Sequence, residues 1–154
     1  MGTKVKVDRK SQDFVPTISS GAAYTAGDAV GSLLQVPAAN GSEGSGTIRQ
    51  AVIMDQDGLN AAMDFFVFNA SITATADNDA FAPSEDDLKK ALGVISVAAS
   101  DYADTGNGPV ATKQVELDFQ MEQGTDVFIQ PVTRGTPTYT GTDNLKFTFV
   151  VISD

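Results

Sequence analysis

The sequence contains no cysteine, no histidine and no tryptophan among its 154 residues. Without cysteine there is no disulfide framework, no thiolate nucleophile and no Cys-ligated zinc or iron–sulfur cluster. Without histidine, Ser-His-Asp catalysis, Cys-His catalysis and His-ligated metal sites are excluded as well. An enzyme would be left with carboxylate chemistry, and among 20 acidic side chains some close pair is almost unavoidable. We therefore expect a protein that is not an enzyme and needs no cofactor.

Long apolar runs and an excess of basic residues are also missing. No segment approaches the ~18 apolar residues of a membrane span, and the N-terminus lacks the apolar stretch of a secretory signal. Ten basic and 20 acidic side chains give a net charge of −10 and a pI near 4.2. Such a chain has few groups that neutralise phosphates. We expect a soluble protein made in the cytoplasm that binds neither nucleic acid nor a membrane.

The charge is unevenly distributed along the chain. The first ten residues carry +3, which leaves 6 basic and 19 acidic groups, or −13, for the rest. We therefore expect a basic N-terminal arm over residues 1–12 and a single β-sandwich domain over residues 13–154. One interpretation of the arm is a solvated, frayed terminus. The other is a basic arm that docks on an acidic partner or a neighbouring subunit, with valines and lysines alternating as in an added strand. The candidate partner-binding residues are Lys4, Val5, Lys6, Val7, Arg9 and Lys10.

After the arm, short β-branched and aromatic runs bounded by Gly, Asn, Asp and Pro predict strands. We expect them at residues 14–18, 29–36, 47–55, 59–69, 93–98, 115–119, 127–129 and 145–152. Asp57-Gly58 predicts a tight hairpin between the third and fourth strands, and Pro131 predicts the end of the seventh. Strict alternation over residues 47–55 places Ile48 and Gln50 on one face and Arg49 and Ala51 on the other.

One helix is expected, of about two turns. Ser84 is a suitable N-cap, acidic residues follow it at the positive end of the helix dipole, and Gly93 is the natural stop. About eight strands with one short helical insertion predict an all-β fold. Two antiparallel sheets packed as a jelly-roll-like β-sandwich are the economical arrangement.

Two groups of acidic residues resemble calcium ligands. Asp55, Asp57 and Asp64 surround the expected hairpin, but their spacing does not fit an EF-hand loop. Asp77, with Asn78 and Asp79, forms the second group. Asx side chains build turns by bonding to nearby backbone, so we assign both groups to turns and predict no metal site. Whether calcium binds near Asp55/Asp57 or Asp77/Asp79 is left open by the sequence.

Several short stretches together resemble small structural proteins of tailed bacteriophages. They are Tyr24-Thr25-Ala26-Gly27-Asp28-Ala29-Val30-Gly31-Ser32-Leu33-Leu34, Phe65-Phe66-Val67-Phe68-Asn69, Asp77-Asn78-Asp79-Ala80-Phe81, the Ser84 helix and Gly93-Val94-Ile95. The resemblance covers roughly residues 20 to 100. It implies a head decoration, or cement, protein on the capsid exterior. Such a protein binds the major capsid protein, often as a trimer at local three-fold positions, and has no active site.

Two further expectations concern partners. The segment from Leu59 to Asn69 is apolar on both faces, which favours a homotrimer. The competing function is a carbohydrate-binding β-sandwich of a phage fibre or adhesin, with the loops at residues 71–79 and 134–144 holding a sugar. Tyr102 and Tyr139 would then stack on the sugar ring.

Overall fold

The computed structural model describes residues 8–41 and 43–154, and of Asp8 only the backbone. The described residues form nine strands, one short helix and one 3₁₀ turn at Ala99–Asp101. The elements are β1 Asp8–Phe14, β2 Leu34–Pro37, β3 Ser45–Asp55, β4 Met63–Phe68, α1 Glu85–Leu88, β5 Ala91–Val97, β6 Tyr102–Asp104, β7 Pro109–Gln120, β8 Asp126–Thr133 and β9 Leu145–Ser153.

The strands form two antiparallel sheets. One has five strands in the order β1-β9-β3-β7-β6, and the other has four in the order β2-β8-β4-β5. Apart from the short β6, the first strand pairs with the last, the second with the last but one, and so on inwards to β4 with β5. This nested pairing across two sheets is a jelly roll. The predicted jelly-roll-like β-sandwich is confirmed.

The core lies between the two sheets because alternate residues of each strand point inwards. Phe65 of β4 packs edge-on against Phe147 and Phe149 of β9, with ring centroids 5.2 Å apart in both pairs. The nine residues of β9 alternate strictly between buried and half-buried. The buried residues include Leu145, Phe147, Phe149 and Val151, so the period of two in this apolar sequence matches the inward face.

The first strand starts earlier than the expected domain boundary. β1 pairs with β9 from Asp8 opposite Ser153 to Phe14 opposite Phe147. Residues 8–12, expected in the arm, are thus part of the five-stranded sheet. The strand expected at residues 14–18 does not form, since only Phe14 of that range is in a strand. Pro16 has no N–H for a ladder.

The prediction of a hairpin at Asp57-Gly58 is wrong. Gly58 does adopt a positive φ of 68°, but β3 and β4 belong to different sheets. The buried carboxylate of Asp55 organises the crossing by accepting hydrogen bonds from the backbone N–H groups of Asp57, Leu59 and Asn60, at 2.9, 2.8 and 3.1 Å. A local turn signal does not reveal which sheet the next strand joins.

Strand β8 runs through Pro131 instead of ending there. The carbonyl of Pro131 accepts a hydrogen bond from the Val30 N–H at 2.9 Å, so it points towards the β2 side of β8. The pairing of β8 with β2 has already ended there, at Ile129 opposite Leu34. Because N–H and C=O of one strand residue point the same way, the missing proline N–H costs no bond to β4.

The single helix is shorter than expected. Ser84 Oγ accepts from the Asp87 N–H at 3.1 Å, which confirms the predicted N-cap, but α1 covers only four residues. Gly93, the expected stop, lies inside β5. The described residues include no helix with the length and hydropathy needed to span a membrane.

Candidate partner-binding surface

The outer faces of the two sheets differ. The four-stranded sheet is covered by two stretches of the same chain, residues 24–31 and 77–81, which we call the clasp. Phe81 of the clasp lies over Phe66 and Phe68 of β4, with ring centroids 5.3 and 6.5 Å away. The guanidinium of Arg134 lies 5.7 Å from the Phe66 ring centroid. The second apolar face of β4, which favoured a trimer, is therefore covered within one chain.

The clasp joins two of the stretches that carry the phage resemblance. The Ala29 N–H donates to the Asp79 carbonyl and the Asn78 N–H to the Ala29 carbonyl, both at 2.8 Å, and the Phe81 N–H donates to the Gly27 carbonyl at 3.0 Å. These polar motifs therefore have a structural role. The stretch 24–31 also lies against β-sheet backbone, since Ala29 bridges to Val132 of β8.

Asp77 is the hydrogen-bonding centre of the clasp. Its carboxylate accepts from the Ser19 hydroxyl, the Tyr24 hydroxyl and the Gly31 N–H, each at 2.6 Å. Burial and the hydrogen bond to Asp77 raise the pKa of the Tyr24 hydroxyl, so the tyrosine remains the donor. Asp77 is thus occupied by protein donors.

The outer face of the five-stranded sheet, which we call the open face, has no such cover among the described residues. Its outward side chains are all exposed or half-buried. They are Arg9, Ser11 and Asp13 of β1, Lys146, Thr148, Val150 and Ile152 of β9, Ser45, Thr47, Arg49, Gln50, Val52 and Met54 of β3, Val110, Thr112, Gln114, Glu116, Asp118 and Gln120 of β7, and Ala103 of β6.

A β-bulge in β3 shapes the open face. The register with both β7 and β9 shifts between Ile48 and Gln50, which leaves Arg49 as an extra residue opposite β9. Arg49 and Gln50 therefore both point outwards, and Ile48 is buried on the same side as Ala51. The strict alternation predicted for residues 47–55 is wrong at this point. Bulges often re-aim side chains at functional sites.

The bulge lies in a groove of about 500 Å³ on the open face. The groove is lined by Arg9, Ser11, Arg49, Gln50, Gln114, Val115 and Val150. Arg49 makes only a long ion pair, 3.9 Å from its Nη1 to Glu116 Oε1, and both side chains are about half-exposed or more. An ion pair of that kind contributes little to stability, so the guanidinium can turn to another acceptor.

The open face has balanced charge although the protein is acidic. Lys146 pairs with Asp13 at 3.6 Å, and Thr148 Oγ1 donates to the same carboxylate at 2.7 Å. The basic Arg9, Arg49 and Lys146 are matched in number by Asp13, Glu116 and Asp118. A protein partner would approach this face without the repulsion that a net charge of −10 produces elsewhere.

The predicted partner-binding residues divide into two groups. Lys4, Val5, Lys6 and Val7 lie outside the described residues. Arg9 lines the groove on the open face, whereas Lys10 is exposed on the opposite side of β1, in register with Val151. Sequence reasoning missed Arg49, Gln50 and Gln114 as groove residues. The signal was the Arg49-Gln50 pair, which interrupts an otherwise apolar alternation.

The acidic residues near the expected hairpin all have protein partners, but only Asp55 bonds to nearby backbone as the turn interpretation predicts, whereas Asp57 and Asp64 bind residues distant in sequence. Asp57 accepts from Thr140 Oγ1 at 2.6 Å, from the Thr140 N–H at 3.0 Å and from Asn144 Nδ2 at 3.1 Å. Partial burial raises the pKa of the Asp57 carboxyl, but these hydrogen bonds outweigh it and lower the pKa overall. Asp64 pairs with Arg134 at 2.7 Å. Among the described residues, no three acidic side chains converge as metal ligands.

The two tyrosines proposed to stack on a sugar lie elsewhere. Tyr139 is 1% exposed and packs edge-on against Tyr24, with ring centroids 5.9 Å apart. Tyr102 is half-buried, and its hydroxyl donates to the Ala61 carbonyl at 2.8 Å. The stacking predicted for Tyr139 is therefore wrong, because its ring is part of the core.

Comparisons with known proteins add little. No family model matches this chain, and no curated protein gives a significant match. Among solved structures, the chain is similar to the crystal structure of the infectious bursal disease virus VP2 subviral particle, at 10% identity and a TM-score of 0.40. The likeness covers 96% of this chain and 32% of that one. It carries no argument at this level, and the fold assignment rests on the strand pairing itself.

Proposed function

We propose that the protein is a structural component of a tailed-phage head, a decoration protein that binds the exterior of an assembled capsid through its open face. The observation that carries this proposal is the contrast between the two sheets. The clasp covers one outer face, whereas no described residue covers the other, which has a bulge that adds an arginine to its centre. The resemblance of residues 20 to 100 to small phage head proteins supports the same role.

The composition of the open face suits a protein partner. Half-buried Val52, Met54, Val150 and Ile152 alternate with arginine, glutamine and threonine. Arginine and methionine are enriched at protein interfaces, and apolar patches rimmed by polar groups mark binding sites. Planar guanidinium groups at Arg9 and Arg49 bind carboxylates of a partner in a defined geometry. The major capsid protein is the proposed partner.

Binding to the assembled shell would stabilise it. A protein that binds neighbouring capsid subunits only in the lattice shifts the equilibrium towards that lattice, and many copies act together. In this proposal the protein lies on the virion exterior as a trimer at local three-fold positions.

The test is binding to capsids that lack the protein. We expect full-length protein to sediment with such capsids and to appear as added density in negative-stain images. The Arg9→Gln/Arg49→Gln double variant should bind at least about a hundredfold more weakly, since two charged hydrogen bonds at about 1.5 kcal/mol or more each would be lost. Lys89→Gln, at an exposed residue directly after α1, is the matched control and should bind normally.

Two results would refute the proposal. One is the absence of any capsid binding by the folded full-length protein. The other is undiminished binding by the double variant, which would place the contact elsewhere. A glycan array run in parallel tests the carbohydrate-binding alternative directly, and saturable sugar binding without capsid binding would replace the proposal with that function.

A further inference from the structure

The two sheets have four edges, and three of them carry recognised protection against pairing with another chain. β6 has three residues, β2 has four and ends at Pro37, and β1 carries Arg9, Lys10 and Asp13. Short length, proline and charge are the usual devices that prevent edge-to-edge association.

The fourth edge, β5, lacks these devices. Its seven residues, Ala91–Val97, include no charged residue and no proline. A register shift interrupts the pairing with β4 near Leu92, but the ladder is regular from Gly93 to Val97. Val94 is 48% exposed, and Ser96 is exposed as well, while Ile95 and Val97 anchor the strand in the core. This edge is a ready template for an added strand.

We infer that the β5 edge binds residues Lys4–Val7 of a second copy of this chain by strand addition. That segment alternates lysine with valine and contains no glycine or proline, which suits pairing along an edge. Its length matches the regular part of β5. The edge contributes no basic residue opposite Lys4 and Lys6, and the chain beyond the first ten residues has a net charge of −13.

The topology favours a second copy over the segment's own chain. β1 and β7 are separated by three strand spacings, about 14 Å, and β5 lies in the other sheet, about 10 Å away. Gly93 of β5 faces Leu117 of β7, which places β5 at the far side of the sandwich from β1. The seven residues before Asp8 span about 23 Å when fully extended. Lys4, the far end of the pairing segment, can lie at most about 14 Å from Asp8, which is shorter than the distance of about 17 Å to β5.

Pairing of one copy's N-terminal segment with the next copy's β5 is a head-to-tail contact. Such contacts form closed rings when the rotation between copies closes. The inference rests on the proposed function for its setting, because a trimeric ring would present three open faces to a capsid together. It also divides the basic region, with Lys4–Val7 binding the neighbouring copy and Arg9 facing the capsid.

The first experiment measures the mass in solution without capsids. Full-length protein should sediment at micromolar concentration as a multiple of the 16.1 kDa chain, and protein truncated to residues 8–154 should sediment as a single chain. Val94→Lys should also dissociate the assembly, because it introduces the missing edge charge on an exposed side chain. Thr112→Lys, exposed on β7, is its matched control and should leave the mass unchanged.

The second experiment uses the absence of cysteine in the chain. Residues 5 and 6 would lie on opposite faces of an added strand. When a Val5→Cys or Lys6→Cys variant is mixed with a Ser96→Cys variant under mild oxidation, one of the two mixtures should form an intermolecular disulfide. The yield of that covalent dimer should exceed the yield with Thr112→Cys by at least tenfold. Equal yields would overturn the inference.

The outcomes separate this inference from the proposed function. A full-length protein that is a single chain in solution yet binds capsids overturns the strand exchange and leaves the decoration role in place. A ring that depends on residues 4–7 but does not bind capsids supports the strand exchange between copies and refutes the decoration role. An assembly whose mass does not change on truncation to residues 8–154 also overturns the inference.

Discussion

Replacing Asp77 by alanine should destabilise the protein strongly, although the residue lies in an irregular segment far from the sheet interior. The carboxylate holds three donors at 2.6 Å, from Ser19, Tyr24 and Gly31. The Tyr24 hydroxyl belongs to a side chain that is 1% exposed, and Gly31 is buried as well. In Asp77→Ala both donors lose their acceptor, whereas Ser19 can turn to water.

The size of the effect follows from those two donors. A buried donor left without a partner costs about 1–3 kcal/mol. The two together predict a loss of about 4 kcal/mol in the free energy of unfolding, a large share of the 5–15 kcal/mol typical of a domain. At this chain length that corresponds to a fall in Tm of about 8–16 °C. Asp77→Asn keeps one acceptor oxygen and should lose about 1 kcal/mol.

The assay is urea unfolding followed by circular dichroism, combined in a double-mutant cycle with Tyr24→Phe. Tyr24→Phe also removes the bond from the Ser19 N–H to the tyrosine oxygen. Because this bond is lost with or without the Asp77→Ala substitution, its loss cancels in the cycle. We expect a coupling of about 1.5–3 kcal/mol, as for a hydrogen bond to a charged group. A coupling below about 0.5 kcal/mol would show that the Tyr24–Asp77 bond does not hold the clasp.

Three further predictions concern packing and pH. Phe81→Ala should lower the free energy of unfolding by about 2–3 kcal/mol and increase binding of a hydrophobic dye, because it uncovers β4. Gly46→Ala should cost about 1–3 kcal/mol, since a Cβ would lie 2.6 Å from the Ile152 carbonyl oxygen, while Gly135→Ala has ordinary contacts and is the control. Because the pKa of Asp57 is lowered on folding, its contribution to the free energy of unfolding should be present above about pH 4 and be lost as the pH falls further. The free energy of unfolding of Asp57→Asn, measured in urea at several pH values, should therefore fall less steeply below about pH 4 than that of the unmodified protein.

The strands that the sequence predicted well are those with one face in the core. In β9, Phe147, Phe149 and Val151 are buried and the residues between them are half-buried, so the period of two records burial directly. The N-cap at Ser84 was predictable for a similar reason, because the cap and its partner Asp87 are three residues apart.

The errors arose where the outcome depends on a residue distant in sequence. Asp57-Gly58 has the chemistry of a hairpin turn, but the following strand pairs with β5 and β8, which lie well beyond it in the chain. The bulge at Arg49 is set by the registers of β7 and β9 and not by β3 alone. Pro131 was tolerated because β2 had already ended beside it, which no local pattern indicates.

The candidate site was the least predictable part, because it is defined by what the chain leaves uncovered. Phe66 and Val150 both lie on outward faces of their strands, and nothing local distinguishes them. The difference is that the clasp brings Phe81 over Phe66, through backbone bonds between residues 24–31 and 77–81. No counterpart covers Val150 among the described residues.

The motifs that carry the phage resemblance therefore bear on function indirectly. Two of them build the clasp, and the clasp covers the outer face of one sheet. In the proposed function, association uses the open face, with Arg9 and Arg49 at its groove, and in the further inference it uses the β5 edge, which lies at the opposite side of the sandwich from β1. A protein that must join neighbouring subunits needs two separate contact regions, and these two regions do not overlap. Variants of one should leave the other contact intact, so mass in solution and capsid occupancy should respond independently.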